Sequence, residues 1–375
     1  MKFLHTADWH IGKRLHEYPL VKEQQDALDQ IAQIAQKEQV DAVVVAGDLY
    51  DRSLPSEEAV TLVNQALKNL NLKADLPLLA ISGNHDSAVR LATGQEWFKQ
   101  TKLYLHTKLA EAFTPIEFAD TQFFLLPYFE LQEARNYFAD ESLSDLTSAM
   151  KLIVAKLKTK FDPTKKQVLV AHFFAAGSLR SDSETKIEVG GLDSVPLELF
   201  SDFDHVALGH LHDKRALDLP TVKYSGSLLK YSVAEANSQK GVWIVDLEED
   251  VSLNFRELTP LYDIEEITAS FKELLNPDFY QTINRENYLQ IYLEDRTIIP
   301  NMMNQLRKIY PRILGVERSN GRVELKQGKQ KKMMTKDPHK IAQGFFKEMT
   351  KEQLTNKQEI WLKETLQELT DRNDQ

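Results

Sequence analysis

Five short apolar runs recur along the first 215 residues, each ending in polar or glycine-containing residues. They are MKFLHTADWH from Met1, VDAVVVAGDLYD from Val40, LPLLAISGNHD from Leu76, KQVLVAHF from Lys166 and FDHVALGHLHD from Phe203. Short runs of this kind predict strands buried in a sheet. Helical spacing lies between several of them. Residues 21–39 put Leu28, Ile31 and Ala35 on one stripe, and residues 56–71 space Val60, Val63, Leu67 and Leu70 at helical intervals. Buried strands alternating with helices predict a layered α/β domain, in which ligands collect beyond the carboxyl ends of the strands. VKYSGSLLKYS from Val222 and GVWIVDLE from Gly241 read as further strands that close this domain, assigned to residues 1–260.

A smaller unit is expected over residues 261–320. IEEITASFKELLN reads as helical, ENYLQIYLED alternates like a strand, IIPNMMNQLRKIYP reads as a helix with Pro300 near its first turn, and RILGVERS reads as a strand. Together they predict a compact α+β module. Residues 321–375 then read as a basic linker and a tail of two short amphipathic helices. Asp337 and Pro338 suit the start of the first, which carries Ile341, Phe345, Phe346 and Met349. Thr350 and Gln353 fit a capping box for the second, which carries Leu354, Trp361, Leu362, Leu366 and Leu369.

Composition narrows the chemistry. The 375 residues contain no cysteine, which removes disulfides, iron–sulfur clusters and thiolate zinc sites. Any bound metal must be held by His, Asp, Asn or Glu, a set that suits Mn, Mg, Fe or Zn in catalytic roles. No apolar run approaches the ~18 residues of a membrane span, and the opening MKFLHTAD turns polar too soon for a secretory signal. A cytoplasmic protein with no membrane partner is expected. The formal net charge of −10 argues mildly against nucleic acid as a partner. A local exception is residues 326–340, with six lysines against one aspartate, which reads either as a solvated linker or as a phosphate-contacting patch.

The run ends form an ordered series: Asp8-Trp9-His10, Gly47-Asp48, Gly83-Asn84-His85-Asp86, Ala171-His172 and Gly209-His210-Leu211-His212. Residues i and i+2 of an extended segment share a side, so Asp8 with His10, and His210 with His212, can each face one site. The inventory of carboxylates, an amide oxygen and imidazoles suits two divalent ions with one shared carboxylate, an arrangement fitted to in-line displacement at phosphorus. One histidine is left over.

The series D-x-H, G-D, G-N-H-D, H, G-H-x-H resembles the signature of the calcineurin-like metallophosphoesterases across residues 1 to about 215. That resemblance implies a layered sandwich of mixed sheets flanked by helices. It implies one metal on Asp8, His10, Asp48 and His212, and a second on Asp48, Asn84, His172 and His210, with Asp48 bridging. It places His85 beside the scissile phosphate as an acid or as a stabiliser of the leaving oxygen, with Asp51 orienting it. Arg52 matches a position used for phosphate contact, with a plain surface role as the alternative. His5 is expected in the core or beside the ligands, Asp86 beside the ligands or in a turn, and His16, His106, His205 and His339 match no ligand position.

LHTADWHIGKRLH, SDSETKIEVGGLDSVP (181–196) and YSGSLLKYSVAEANSQKGVWIVDL (224–247) resemble the SbcD family, nuclease subunits of bacterial SbcCD complexes. Membership implies manganese-dependent cleavage of DNA phosphodiesters, with Mg or another divalent ion as a substitute. The expected activities are 3′→5′ exonuclease on duplex ends and endonuclease on single strands and hairpins, in end processing, repair and recombination. It also implies a DNA-capping role for residues 261–320, a homodimer within a heterotetramer, and an SbcC-type ATPase gripped by the C-terminal helices. The chain has no Walker A pattern of its own. The rival expectation is a small-molecule or nucleotide phosphodiesterase with the same metal site.

Overall fold

The structure is a computed structural model describing residues 1–178, 194–248, 251–319, 338–350 and 352–373. Most of the segment 181–196 and of the lysine-rich run, and Asp337, lie outside these residues. The chain divides into two compact units, Met1–Ile264 and Glu265–Gln375.

The strands of the first unit, in chain order, are β1 (Lys2–Thr6), β2 (Arg14–Leu15), β3 (Tyr18–Pro19), β4 (Ala42–Ala46), β5 (Leu78–Ile81), β6 (Leu103–His106), β7 (Ile116–Glu117), β8 (Thr121–Leu126), β9 (Lys166–His172), β10 (His205–Gly209), β11 (Val222–Tyr224), β12 (Gly241–Asp246) and β13 (Ser252–Glu257). A six-stranded sheet runs β13-β12-β1-β4-β5-β6, and a five-stranded sheet runs β11-β10-β9-β8-β7. β1, β4, β5 and β6 are parallel neighbours, as are β8, β9, β10 and β11; β12, β13 and β7 pair antiparallel at the margins. The five chemistry-bearing runs are therefore β1, β4 and β5 of one sheet and β9 and β10 of the other. Each sheet delivers its polar ends along one edge.

Side-chain alternation divides the core. Phe123 and Leu125 of β8 join Phe3, Val44, Ile81, Val168, Val170 and Ala207 in a cluster fed by both sheets. Their neighbours Phe124 and Leu126 point the other way, into a cluster with Leu169, Val206 and Leu208 and with Met150, Ile153 and Leu157 of the helix Leu146–Lys158. The period of two thus builds a sandwich with helices outside it.

The helix Val21–Glu38 buries Leu28, Ile31 and Ala35 and stops at Gln39 in a left-handed conformation. The helix Glu57–Leu67 starts at Ser56, whose hydroxyl accepts from the Ala59 N–H at 3.2 Å. Its buried face is Ala59, Leu62, Val63 and Ala66, and the expected stripe member Val60 is 37% exposed. The chain passes into a wider π-helical turn at Lys68–Lys73, so a stripe extrapolated across both is out of phase at its start.

In the second unit, β14 (Ile264–Ala269), β15 (Tyr288–Leu293) and β16 (Ile313–Arg318) form a three-stranded sheet over Leu274, Leu306 and Tyr310. The expected helix IEEITASFKELLN is in fact the strand β14 followed by the short helix Phe271–Leu274. β-branched Ile264, Ile267 and Thr268 favour the strand, and Ser270 caps the helix through the Glu273 N–H. Two tail helices follow, Pro338–Thr350 and Asn356–Asn373. The second is not boxed by Thr350 and Gln353, because Thr350 closes the first helix. The box is the next T-x-x-Q, where Thr355 N–H donates to Gln358 Oε1 at 2.9 Å and Gln358 N–H to Thr355 Oγ1 at 3.4 Å.

Candidate metal centre

The loop after β1 runs beside the loop after β4. Asp8 N–H donates to the Gly47 carbonyl at 3.1 Å, His10 N–H to that of Asp48 at 2.9 Å, and Ile11 N–H to that of Leu49 at 3.0 Å. This pairing holds unusual backbone. Asp8, His10, Asp48 and His210 all have positive φ, at 49°, 44°, 52° and 98°. Each such residue costs on the order of 1–3 kcal/mol, and such strain clusters at functional sites. Gly47, at φ 90°, also sits where a Cβ would strike the His172 ring, and a Cβ on Gly83 would strike the Asp48 carboxylate.

Donor atoms from all five strand ends converge. Asp48 Oδ2 lies 3.3 Å from His172 Nε2 and 3.6 Å from His10 Nε2, so one oxygen faces both imidazoles. His10 Nε2 lies 3.1 Å from His212 Nε2. Asn84 Oδ1 is 2.9 Å from His172 Nε2 and 3.1 Å from His210 Nδ1. Two ligands at right angles, each about 2.1 Å from an ion, sit about 3 Å apart; the spacings here are of that size. Among the described residues three clusters could hold a cation: Asp8, His10 and His212; Asp8, Asp48 and His172; and, at the rim, His10, Asp51 and His85. The donor set of imidazoles, carboxylates and an amide oxygen, with His10 Nε2 turned to both Asp48 and His212, fits a pair of divalent ions.

Asp8, His10, Asp48, His172 and His212 are buried. Burial lifts the Asp8 carboxyl to about 7, against the pull of His172 and His212. Burial would also lift Asp48, but His172 and His10 overcome it and hold Asp48 below the usual carboxylate range. His172 rises to about 9, because Asp48 and Asp8 outweigh the desolvation that opposes its charge. Burial drives His10 down. This competition for protons among packed donors is one that cations can replace. The backbone adds fixed partners: His210 N–H donates to Asp8 Oδ1 at 3.0 Å, and His172 Nδ1 faces the Ala46 carbonyl at 2.8 Å. The latter contact keeps a proton on His172 Nδ1 and turns Nε2 toward the centre, where a cation would take the place of its proton.

His85 stands at the rim, its ring centroid 4.7 Å from that of His10. Its main-chain N–H donates to Asp48 Oδ1 at 2.8 Å, and its Nδ1 pairs with the main-chain carbonyl of Asp51 at 2.8 Å. The Asp51 carboxylate is engaged by Lys13 Nζ at 2.7 Å. Asp51 thus bonds His85 through its peptide group, while its carboxylate bonds Lys13 and lies 3.9 Å from His10 Nδ1. Arg52 is 79% exposed at its side chain and lies 3.5 Å from Asp51. Asp86 ties loops together, accepting from the N–H groups of Leu49 at 3.1 Å, Tyr50 at 2.9 Å and Gly83 at 3.0 Å. His5, His106 and His205 are buried away from the cluster and His16 is exposed.

Several residues around the centre carry no motif. Gln24 donates to the His10 carbonyl at 2.8 Å, and the Tyr231 hydroxyl donates to that of Trp9 at 2.5 Å. Glu235 and Lys240 form a buried ion pair beside His212. The stretch 224–247 contains three of these four, but nothing in its spacing distinguishes them from strand and loop residues.

Residues 1–214 match the family described as calcineurin-like phosphoesterase, so the first unit is a metallophosphoesterase of the dimetal class. Residues 260–350 match the family described as type 5 capsule protein repressor C-terminal domain. Over 381 aligned residues the chain is 35% identical to the SbcD subunit of the SbcCD nuclease of Staphylococcus epidermidis, spanning 99% of this chain and 100% of that one. The chain belongs to the SbcD family. Two solved structures are more distantly similar. A dimetal phosphatase from Danio rerio is 14% identical, with a TM-score of 0.45 over 68% of this chain and 96% of that one. A Thermus thermophilus protein is also 14% identical, with a TM-score of 0.41 over 68% and 98%.

Proposed function

We propose that the chain cleaves DNA phosphodiesters as the nuclease subunit of an SbcCD-type complex, through two divalent ions on seven side chains. One ion is assigned to Asp8, His10, Asp48 and His212, the other to Asp48, Asn84, His172 and His210. The observation that carries this reading is Asp48 Oδ2, one oxygen facing His10 on one side and His172 on the other. Four imidazoles favour manganese over magnesium, which prefers an all-oxygen shell.

When bound, two such ions activate water and offset the charge that builds on the phosphate oxygens. The remaining steps belong to the protein. With Nδ1 protonated against the Asp51 carbonyl, His85 presents Nε2 to the substrate side, where it donates a proton to, or stabilises, the departing oxygen. Asp51 holds the ring by its peptide and draws Lys13 to the rim, and exposed Arg52 contacts a phosphate of the strand. A chain with net charge −10 meets DNA through such local cations and through backbone contacts rather than base reading. The 261–320 module caps the DNA, and the tail helices, with Phe345 64% and Trp361 56% exposed, dock the ATPase partner. The assembly is a homodimer within a heterotetramer.

The test is full-length protein with Mn²⁺, Mg²⁺ or chelator on a 3′-labelled hairpin duplex, with and without the partner ATPase and ATP. Manganese-dependent hairpin nicking by the chain alone, with ATP-dependent duplex degradation when the partner is added, is expected. Hydrolysis of a generic phosphodiester without any cleavage of hairpin DNA would favour a small-molecule enzyme instead.

A further inference from the structure

The His210–Lys214 loop is pinned by a segment some twenty residues further along the chain. Lys240 Nζ donates to the His212 carbonyl at 2.8 Å and to Ser227 Oγ at 2.9 Å, and pairs with Glu235 Oε2. An ammonium has three protons, and all three are used. The Ser227 N–H adds a second bond to the His212 carbonyl at 3.1 Å. Glu235 Oε1 accepts from the Tyr231 N–H at 3.2 Å and from Ser232 Oγ at 3.3 Å, and it faces His212 Nδ1 at 3.9 Å. Glu235 is 1% exposed and Lys240 6%. Apolar replacement of a buried ion pair is often neutral or stabilising, so stability alone does not account for this one.

We propose that Glu235 and Lys240 are positioning residues that act through His212. Lys240 fixes the main chain of the ligand loop. Glu235 attracts the proton of His212 to Nδ1, which turns the Nε2 lone pair toward Asp8 and His10. A carboxylate behind a metal-binding imidazole sets its tautomer and ring angle, and losing it typically lowers metal affinity about 10- to 100-fold. The inference rests on the dimetal reading above and assigns the pair to one of the two ions.

The experiment is a manganese titration of the chelator-treated full-length chain, followed by the electron-paramagnetic-resonance signal of free Mn²⁺. The unaltered chain is expected to bind two ions. Glu235→Gln is expected to weaken one of them by about 10- to 100-fold and leave the other unchanged. Because that variant leaves the Lys240 charge buried without its partner, the double variant Glu235→Gln, Lys240→Met is measured alongside it. With both charges removed it keeps the fold and shows the same selective loss. Nitrogen-15 shifts of His212 in the unaltered metal-free chain need no variant and are expected to show the proton on Nδ1. Unaltered affinity for both ions in a folded variant, equal weakening of both ions, or a His212 protonated only on Nε2 would each overturn the proposal. If the unaltered chain bound no manganese, the dimetal reading itself would fall, and this inference with it.

Discussion

The two units spend their hydrophobic and polar residues differently. In the first, five parallel strand ends bring Asp8, Asp48, Asn84, His172 and His210 to one place, and the backbone accepts positive φ at four site residues to do it. In the second, a small sheet closes over its own core, and the tail helices leave Phe345 and Trp361 in solvent. Chemistry needs donors held to within tenths of an ångström, which only a buried, over-determined scaffold supplies. The docking role proposed for the tail would need an exposed apolar face. Damage to the first unit should therefore abolish turnover, and damage to the tail should spare it.

The largest effect is expected from Asp48→Asn, which removes charge from the one oxygen that faces both His10 and His172. Hairpin nicking should fall by at least about 10³-fold, and calorimetry should find the two-ion binding lost. His85→Gln comes next, with a loss of about 10²–10⁴-fold in rate and manganese binding unchanged. Equal damage to binding and rate would make His85 a ligand rather than an acid.

A third effect concerns stability. His205 is fully buried, and burial, with His5 and Lys223 nearby, pushes its pKa down to about 3 from the ordinary 6.5. The folded form therefore binds fewer protons than the unfolded form between those values. Its stabilising contribution is complete above pH 6.5 and is lost as pH falls toward 3. Against a His205→Leu variant, the unaltered chain should lose about 2 kcal/mol between pH 7 and pH 5, read from urea midpoints. A constant difference between the two proteins would contradict this. The smallest effect is expected at Trp361, where replacement by alanine should change stability by less than about 0.5 kcal/mol. Nicking by the chain alone should be untouched, while co-purification with the partner ATPase drops.

How much was legible in the residues follows the same division. The strand ends are readable because an apolar run, a glycine and a His or Asp stand next to each other in sequence and stay together in space. IEEITASFKELLN misleads because Ile264, Ile267 and Phe271 suit a helical stripe, while the β-branched half pairs as a strand and Ser270 restarts the chain as a helix. The expectation at Thr350 misses because T-x-x-Q occurs again at Thr355, and only the end of the preceding helix tells which one is the box. Glu235 and Lys240 were invisible for another reason: their partner, His212, is 23 and 28 residues away, and no local period links them. Asp51 shows the limit within a motif, since spacing does not say whether its peptide or its carboxylate meets His85.

The most direct test of the central claim is anomalous diffraction from crystals of the full-length chain soaked in manganese. The account predicts two peaks about 3.5–4 Å apart, sharing Asp48, with Asp8, His10 and His212 around one and Asn84, His172 and His210 around the other. A single peak that excludes Asp48, or peaks lying away from these seven side chains, would contradict it.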